Sequence, residues 1–361
     1  MKILVVLPNF GGGGAERIHA NLANKWVESG HEVIFCVLQK KGPLLSALDN
    51  EIKVLDLNCN RILFSLIPLI DAIKKTKPEV IVSAMWPLTT VSVFAKILSG
   101  SQSKIFLVEH IAYEKTLAKL LGHSLFLIGI SKTISYLFAS KVISVSRGVE
   151  SSIRKITFLP NSKFKIIYNG IPIPKLVKNE KQKLFSTNKK VLLAAASFSD
   201  RKDFPTLIRA LSILFSKGYT DLKLFILGDG PMRDEIKNII KHLNMDRNVE
   251  LLGYKSDIYK YMSSSDLFVH SSKVEGFALV IAEALSCGIN VVSTDSPYGP
   301  SEILENGKFG NLVKVGDAEQ MANAIIEKIV NPLDKETLKQ HAKKFSIETC
   351  AKLYLEEFSQ Y

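Results

Sequence analysis

Five apolar residues, Ile3 to Leu7, open the chain and are stopped by Pro8, Asn9 and a run of four glycines, after which a helical pattern covers Ala15 to Ser29. A run apolar on both faces suits a strand buried inside a parallel sheet, with the helix behind it covering one side. The alternation repeats along the chain. In the first half it predicts strands at Lys2–Leu7, Glu32–Leu38, Ile52–Leu55, Val80–Ser83, Ile105–Glu109, Lys141–Ser146 and Lys165–Tyr168, and helices at Ala15–Ser29, Leu63–Lys75, Thr89–Ser99 and Val149–Ile156. Asn169-Gly170-Ile171-Pro172-Ile173-Pro174 breaks the pattern, and a polar, lysine-rich stretch over 175–190 reads as a linker. The pattern then restarts, with strands at Val191–Ala196, Lys223–Leu227, Val249–Leu252, Leu267–His270 and Asn290–Ser293, an apolar segment at Ile258–Met262, and helices at Phe204–Lys217, Met232–Leu243 and from Ala318 onward. The last segment, 345–361, holds apolar positions at helical spacing. The expected organisation is an N-terminal domain 1–174, the linker, a C-terminal domain 191–344 and the final helix.

Two domains also fit the length, since 361 residues exceed the roughly 100–200 of a typical single one. A hydrophobic share of 47% against 23% charged residues excludes general disorder. Cys36, Cys59, Cys287 and Cys350 have neither metal-ligand nor disulfide-framework spacing, so reduced thiols in a cytoplasmic protein are expected. The opening apolar run is too short for a signal peptide, and no uncharged run reaches the roughly 18 residues of a membrane span. Charge changes the picture more. Residues 1–178 hold 23 Lys and Arg against 11 Asp and Glu, whereas 179–361 hold 24 against 24, so the whole formal excess of +12 lies in the first half. Such a domain suits an anionic membrane surface or nucleic acid, and equally basicity for solubility alone.

The richest chemistry lies in Ser271 to Leu285, where the apolar run Leu267-Phe268-Val269 meets Gly276 and a helix, with Glu275 and Glu283 eight residues apart. A turn feeding a helix presents unpaired N–H groups and the positive end of its dipole to an anion. Carboxylates are poor phosphate ligands, so the glutamates suit hydroxyls while the N–H groups suit a diphosphate, which together describe a nucleotide-sugar site. Two solvated charges at a helix end are the plainer alternative. Gly11-Gly12-Gly13-Gly14-Ala15-Glu16-Arg17 lies where a doubly wound domain binds ligand. It fails as a dinucleotide fingerprint, because Glu16 takes the third glycine's place and no acidic residue closes the second strand near Gln39.

These two segments resemble the E-x7-E motif and the G-G-A-E-R loop of family 4 glycosyltransferases. The resemblance implies an α/β GT-B fold: two facing Rossmann-like, doubly wound parallel-sheet domains with a ligand cleft between them, and a last helix that crosses back to the N-terminal domain. It implies that Gly13 and Gly14 approach the donor's diphosphate while Glu16 and Arg17 border the acceptor. It assigns His110, which closes the fifth strand in Glu109-His110, a hydrogen bond to the transferred sugar; outside the family a lone histidine is more often a satisfied polar group. Ala196 to Ile208 matches G-R-L-x3-K-x4-L-I by its Lys-to-Leu-Ile spacing, which makes Lys202 the cation on the leaving diphosphate. Ala196 and Ser197 replace the usual glycine and arginine there, and Arg201 is the candidate for the missing charge. Gly228-Asp229-Gly230-Pro231 matches a G-D-G-P loop at the edge of the donor pocket, placing Gly228 and Gly230 beside the donor, and Tyr254 is either a platform for the base or an exposed loop aromatic. Glu275 and the backbone of Gly276, Phe277, Ala278 and Leu279 orient the sugar, and Glu283 holds the ribose. Gly299-Pro300-Ser301-Glu302-Ile303-Leu304 matches G-P-x-E-I-L, found in members that build bacterial surface polysaccharides.

The function so implied is retaining transfer of a hexose or N-acetylhexosamine from a nucleotide diphosphate sugar, UDP preferred, to a hydroxyl of a lipid-linked glycan or polysaccharide precursor. No D-x-D closes a strand, so neither metal nor other cofactor is expected. The apolar stretches Arg61–Lys75 and Lys115–Ile128, flanked by lysines, suit buried core helices or peripheral docking on the cytoplasmic face of an anionic membrane. A nucleotide-sugar epimerase or phosphorylase is the alternative within the fold. A catalytically dead sugar-binding module would leave His110 and Lys202 without a task, and a basic nucleic-acid-binding protein would leave both glutamates unused, so no nucleic-acid partner is expected.

Overall fold

A computed structural model describes residues 1–112, 124–174 and 184–361. They form two compact units, Met1–Ile171 with Phe345–Tyr361, and Pro172–Lys344. In the first unit seven parallel strands run in the order β3-β2-β1-β4-β5-β6-β7. They are β1 (Lys2–Leu7), β2 (Glu32–Val37), β3 (Lys53–Asp56), β4 (Val80–Ala84), β5 (Lys104–Glu109), β6 (Lys141–Ser144) and β7 (Phe164–Ile166). β1 is central because Ile3 to Leu7 are apolar throughout and wholly buried, as a strand covered on both faces must be. Around it lie α1 (Gly14–Glu28), α2 (Leu66–Thr76), α3 (Leu88–Leu98), α4 (Leu125–Leu137) and α5 (Arg147–Arg154).

The second unit repeats the scheme with six parallel strands, β10-β9-β8-β11-β12-β13: β8 (Lys190–Ala195), β9 (Leu222–Leu227), β10 (Val249–Gly253), β11 (Leu267–His270), β12 (Val291–Thr294) and β13 (Asn311–Val313). Its helices are α6 (Phe204–Ser216), α7 (Arg233–His242), α8 (Ile258–Ser263), α9 (Leu279–Ser286), α10 (Pro300–Ile303), α11 (Ala318–Val330) and α12 (Lys335–Ala342). In both sheets the strand order reverses beside the first strand of the unit, which places the ligand crevice of each at the carboxyl ends of β1 and β4, and of β8 and β11.

The last helix, α13 (Ile347–Ser359), belongs to the first unit. Ser346 caps it by accepting from Thr349 N at 3.1 Å, and Ile171 N donates to Phe345 O at 2.8 Å, which fixes where the helix enters. Trp26 of α1 then meets Tyr354 and Phe358 edge-on, at 5.8 and 5.5 Å between ring centroids. The Lys25 to Glu348 ion pair, 3.4 Å, closes the edge of this contact.

Several expectations need correction. β6 ends at Ser144 because Ser146 is committed to capping α5, its Oγ accepting from Val149 N at 3.0 Å. β7 stops at Ile166 rather than Tyr168, and β8 begins one residue inside the predicted linker, most of which lies outside the described residues. A 3-10 turn over Ile62–Ser65 precedes α2, and α4 and β13 are elements the pattern did not predict. The core explanation for the apolar stretches holds on one side only where they are described: Leu69, Ala72 and Ile73 of α2 and Ile128 of α4 are buried, while the other described apolar residues of the two stretches are not. Leu63 is 76% exposed, Ile67 71% and Phe126 72%, and Phe64, Phe94, Leu98, Leu127, Ile130 and Leu137 face solvent with them. α2 packs on α3 and α3 on α4, so these exposed apolar side chains stand on neighbouring helices of the basic unit. Residues 115–123 of the second stretch lie outside the described residues.

Candidate active site

At the strand crossover of the second unit, the loop leaving β8 and the loop leaving β11 are tied together. Lys273 N donates to Arg201 O at 2.7 Å, Ser271 Oγ to Lys202 O at 2.8 Å, and Lys273 Nζ pairs with Asp200 at 2.5 Å. This brings together two residues 73 apart in sequence: Lys202 Nζ donates to Glu275 Oε1 at 2.5 Å. His270 Nε2 reaches the same oxygen at 3.0 Å, and its Nδ1 lies 3.0 Å from Ser293 Oγ on β12. Among the described residues, both hydrogen bonds to the Glu275 side chain thus converge on Oε1. Burial alone would raise the Glu275 carboxyl, but the Lys202 ammonium and the His270 imidazole outweigh it and hold it well below the usual carboxylate range. The group is therefore an ionised carboxylate clamped between two donors.

The following turn, Gly276 to Ala278, feeds α9, whose N-cap Ala278 takes the left-handed conformation at φ +65°. That backbone is unfavourable for a residue with a Cβ, and such strain concentrates at ligand-binding turns. Phe277 and Ala278 are buried, and Leu279 is the first helical residue. Glu283 projects from the second turn of α9 and is buried, with Tyr259 Oη donating to its Oε1 at 3.5 Å. Gly228 and Gly230 cross directly beneath the loop that follows β8. A Cβ on Gly228, at φ +133°, would lie 1.9 Å from Ala196 O, so only glycine lets these two loops touch. Their contact is sealed by Phe198 N donating to Asp229 O at 2.9 Å.

Three predicted residues are not drawn into this cluster. Arg201 is exposed, and it is its carbonyl rather than its guanidinium that meets the β11 loop, so the structure does not join it to the Lys202 and Glu275 pair. Ser197 is likewise exposed, and Tyr254 is 78% exposed just beyond β10. Among the described residues no group of three His, Cys, Asp or Glu is placed to hold a metal ion.

In the first unit, Gly13 caps α1 and Gly14 is its first residue. The Glu16 carboxylate folds back over Gly13, 2.5 Å from where a Cβ would stand, so the glycine makes room for an acid at the positive end of the helix. Arg17 follows in the same turn, its N–H donating to Gly13 O at 3.0 Å. His110 leaves the end of β5, half-buried, with Nε2 3.2 Å from His19 Nε2. Burial pushes the His110 imidazole down to about 4, so it is neutral near pH 7. Behind it, Glu109 Oε1 accepts from Tyr136 Oη at 2.5 Å and from Lys132 Nζ, all three buried. His19, His270, Ser293 and Lys132 were all missed by sequence reasoning. The available signal was a polar residue inside an apolar stripe: His19 falls among Ile18, Leu22 and Trp26 of α1.

Two parallel doubly wound units, one with a clamped cation and carboxylate at its strand crossover, define the GT-B class. Residues 12–174 match the model of Glycosyltransferase Family 4 and residues 177–345 that of Glycosyl transferases group 1. Between them the two span nearly the whole chain, which belongs to the family 4 glycosyltransferases. A Campylobacter jejuni relative, N-acetylgalactosamine-N,N'-diacetylbacillosaminyl-diphospho-undecaprenol 4-alpha-N-acetylgalactosaminyltransferase, is 33% identical over 52% of this chain and 50% of its own, so the match spans about half of that protein. An uncharacterized glycosyltransferase of Haemophilus influenzae is 25% identical over 92% of this chain and 91% of its own. The crystal structure of Anabaena HepE in complex with UDP superposes with a TM-score of 0.85 at 22% identity, covering 100% of both chains, which establishes the shared fold.

Proposed function

We propose that the chain is a retaining, metal-independent glycosyltransferase that moves a hexose or N-acetylhexosamine from a UDP-sugar to a hydroxyl of a lipid-linked glycan or polysaccharide precursor. The observation that carries this is the clamped Glu275: an ionised acceptor held by Lys202 and His270 at the crevice where a parallel sheet of this topology binds its ligand. Lys202 and the N–H groups of the Gly276 to Leu279 turn supply positive charge to the leaving diphosphate, while Glu275 Oε2 accepts from a sugar hydroxyl and Glu283 from the ribose. His110 is assigned to the sugar, and Gly13, Gly14, Glu16 and Arg17 to the diphosphate and acceptor side. No side chain is nominated as a nucleophile. The acceptor oxygen bonds to the anomeric carbon on the face from which the diphosphate departs, the bond from that carbon to the phosphate oxygen breaks, and the hydroxyl proton passes to the departing phosphate. UDP is supported by the ligand of the Anabaena protein, and a lipid-linked acceptor by the diphospho-undecaprenol glycan in the name of the Campylobacter relative.

A thermal-shift panel of nucleotide-sugars without added metal tests the donor. One UDP-sugar at about 100 times its Kd should stabilise the protein by about 2.7 kcal/mol, which raises the melting temperature by about 5–10 °C for a unit of this size. No shift with any nucleotide-sugar would remove the basis of the proposal. A shift followed by an isomerised sugar without any acceptor would favour the epimerase.

The exposed apolar side chains of α2, α3 and α4 support contact with an anionic membrane, where a lipid-linked acceptor resides, because they stand on the unit that carries the surplus of Lys and Arg. Among the described residues no helix is long and apolar enough to cross a bilayer. The protein should cofloat with vesicles rich in anionic lipid, and the pair Phe126→Ser and Leu127→Ser should weaken that partition about tenfold or more, since burying one such side chain is worth roughly 1.5–3 kcal/mol. Partition that is equal on neutral vesicles, or untouched by the double substitution, argues against membrane contact through these side chains.

A further inference from the structure

We infer that His19 dictates which nitrogen of His110 carries the proton, so that His110 presents Nδ1–H as its donor. The inference rests on the assignment of His110 to the sugar only for its consequence; the tautomer itself follows from the geometry.

His19 lies in the second turn of α1 and is wholly buried. Its ring meets that of His110 edge to face, at 5.3 Å between centroids and 81° between planes, with the two Nε2 atoms 3.2 Å apart. At that distance one ring donates and the other accepts. Both rings are neutral near pH 7: burial lowers each, and the charge of His110 would depress His19 further. What remains open is the direction of the hydrogen bond, and the far side of His19 decides it. Among the described residues no hydrogen-bond partner reaches the buried His19 Nδ1. A buried N–H without an acceptor is rarer and costlier than an unshared lone pair, so the proton of His19 belongs on Nε2 and the bare lone pair on Nδ1. His19 Nε2–H then donates to His110 Nε2. Since that nitrogen is an acceptor and the ring is neutral, the single proton of His110 must sit on Nδ1. His19 is thereby a positioning residue: it fixes the rotation of the His110 ring and the nitrogen that faces a ligand with a hydrogen, as outer-shell partners of functional histidines do elsewhere.

Long-range proton–nitrogen correlation spectra of the histidine-labelled full chain test this directly, with signals assigned by their loss in His19→Gln and His110→Gln. The expected result is a protonated Nδ1 and an unprotonated Nε2 for His110, and the reverse pattern for His19. In His19→Phe the constraint is gone, and His110 should show the Nε2–H form; in His19→Gln the side-chain amide still donates, so the Nδ1–H form of His110 should persist. Transfer should follow the tautomer, with kcat/KM about tenfold lower in His19→Phe, the loss of roughly one hydrogen bond, and within about threefold of wild type in His19→Gln. A wild-type His110 protonated on Nε2 overturns the inference whatever the activity. If the tautomers are as expected but no sugar is transferred under any condition, the proposed function fails and the proton assignment stands.

Discussion

Replacing Lys202 with alanine should lower kcat/KM for glycosyl transfer by about 10²–10³-fold, the loss typical when one donor aimed at developing negative charge is removed. The ammonium is tied to Glu275 at 2.5 Å in a crevice closed by two loops, so it is held in place before any diphosphate arrives. Arg201→Ala should stay within about threefold, because its guanidinium is exposed and exposed charges interact weakly through water. The pH profile carries a second signature. Glu275 has a folded pKa below its unfolded one, so the stability it contributes is present above the unfolded value and lost only as pH falls through the depressed folded value. In Lys202→Ala burial still raises the carboxyl but the largest opposing charge is gone, so this acid limb should move to higher pH. Steady-state kinetics of both variants, and the thermal stability of Lys202→Ala followed by circular dichroism from pH 4 to 8, decide the matter. A Lys202→Ala enzyme within threefold of wild type, or an Arg201→Ala enzyme equally damaged, would take the phosphate-stabilising role away from Lys202.

How much of this was legible in the chain depended on how local the cause was. The turn at Glu275 and Gly276 and the helix start near Leu279 were readable because strand, glycine and helix follow one another within a dozen residues. Lys202 was readable only through the resemblance, which its spacing to Leu207 and Ile208 carries, and both of these face the core of the second unit. The partners of Glu275 were not. His270 ends a buried strand, where the pattern registers only its burial, and its role depends on Ser293, 23 residues away on β12. The same holds for His19, whose partner His110 is 91 residues distant. The missed elements have a different cause. β13 is three residues long and lies just after Gly307 and Gly310, below the length at which an apolar run declares itself. α4 exposes Phe126, Leu127, Ile130 and Leu137 while burying Lys132, Ser135 and Tyr136, so its pattern is inverted relative to that of a helix packed on its apolar side. An apolar face turned outward and a lysine turned inward make sense only once the neighbours on both sides are known.

That inward lysine carries the second large effect, this time on stability: Lys132→Met should destabilise the first unit by about 3–5 kcal/mol, the cost of leaving one charge of a buried pair without its partner. Lys132, Glu109 and Tyr136 have almost no access to water. Desolvation drives the lysine down from its ordinary value, and the Glu109 carboxylate draws it back, so the two charges act as a pair. Among the described residues, removing the ammonium leaves the Glu109 carboxylate with the Tyr136 hydroxyl, 2.5 Å away, and no paired cation. The double variant Lys132→Met with Glu109→Gln removes the orphaned charge while its amide oxygen still accepts from Tyr136, so it should regain at least half of the loss. The measurement is clean because both tryptophans of the chain, Trp26 and Trp86, lie in the first unit, and their fluorescence during urea unfolding follows that unit alone. A single variant as stable as wild type, or a double variant no better than the single, would mean that the pair is not what holds β5 and α4 together. Because His110 is the next residue after Glu109, the same experiment asks whether the end of β5 keeps its place without the lysine. If the pair anchors it, transfer by the double variant should recover in step with its stability, since both charges are buried away from any ligand surface.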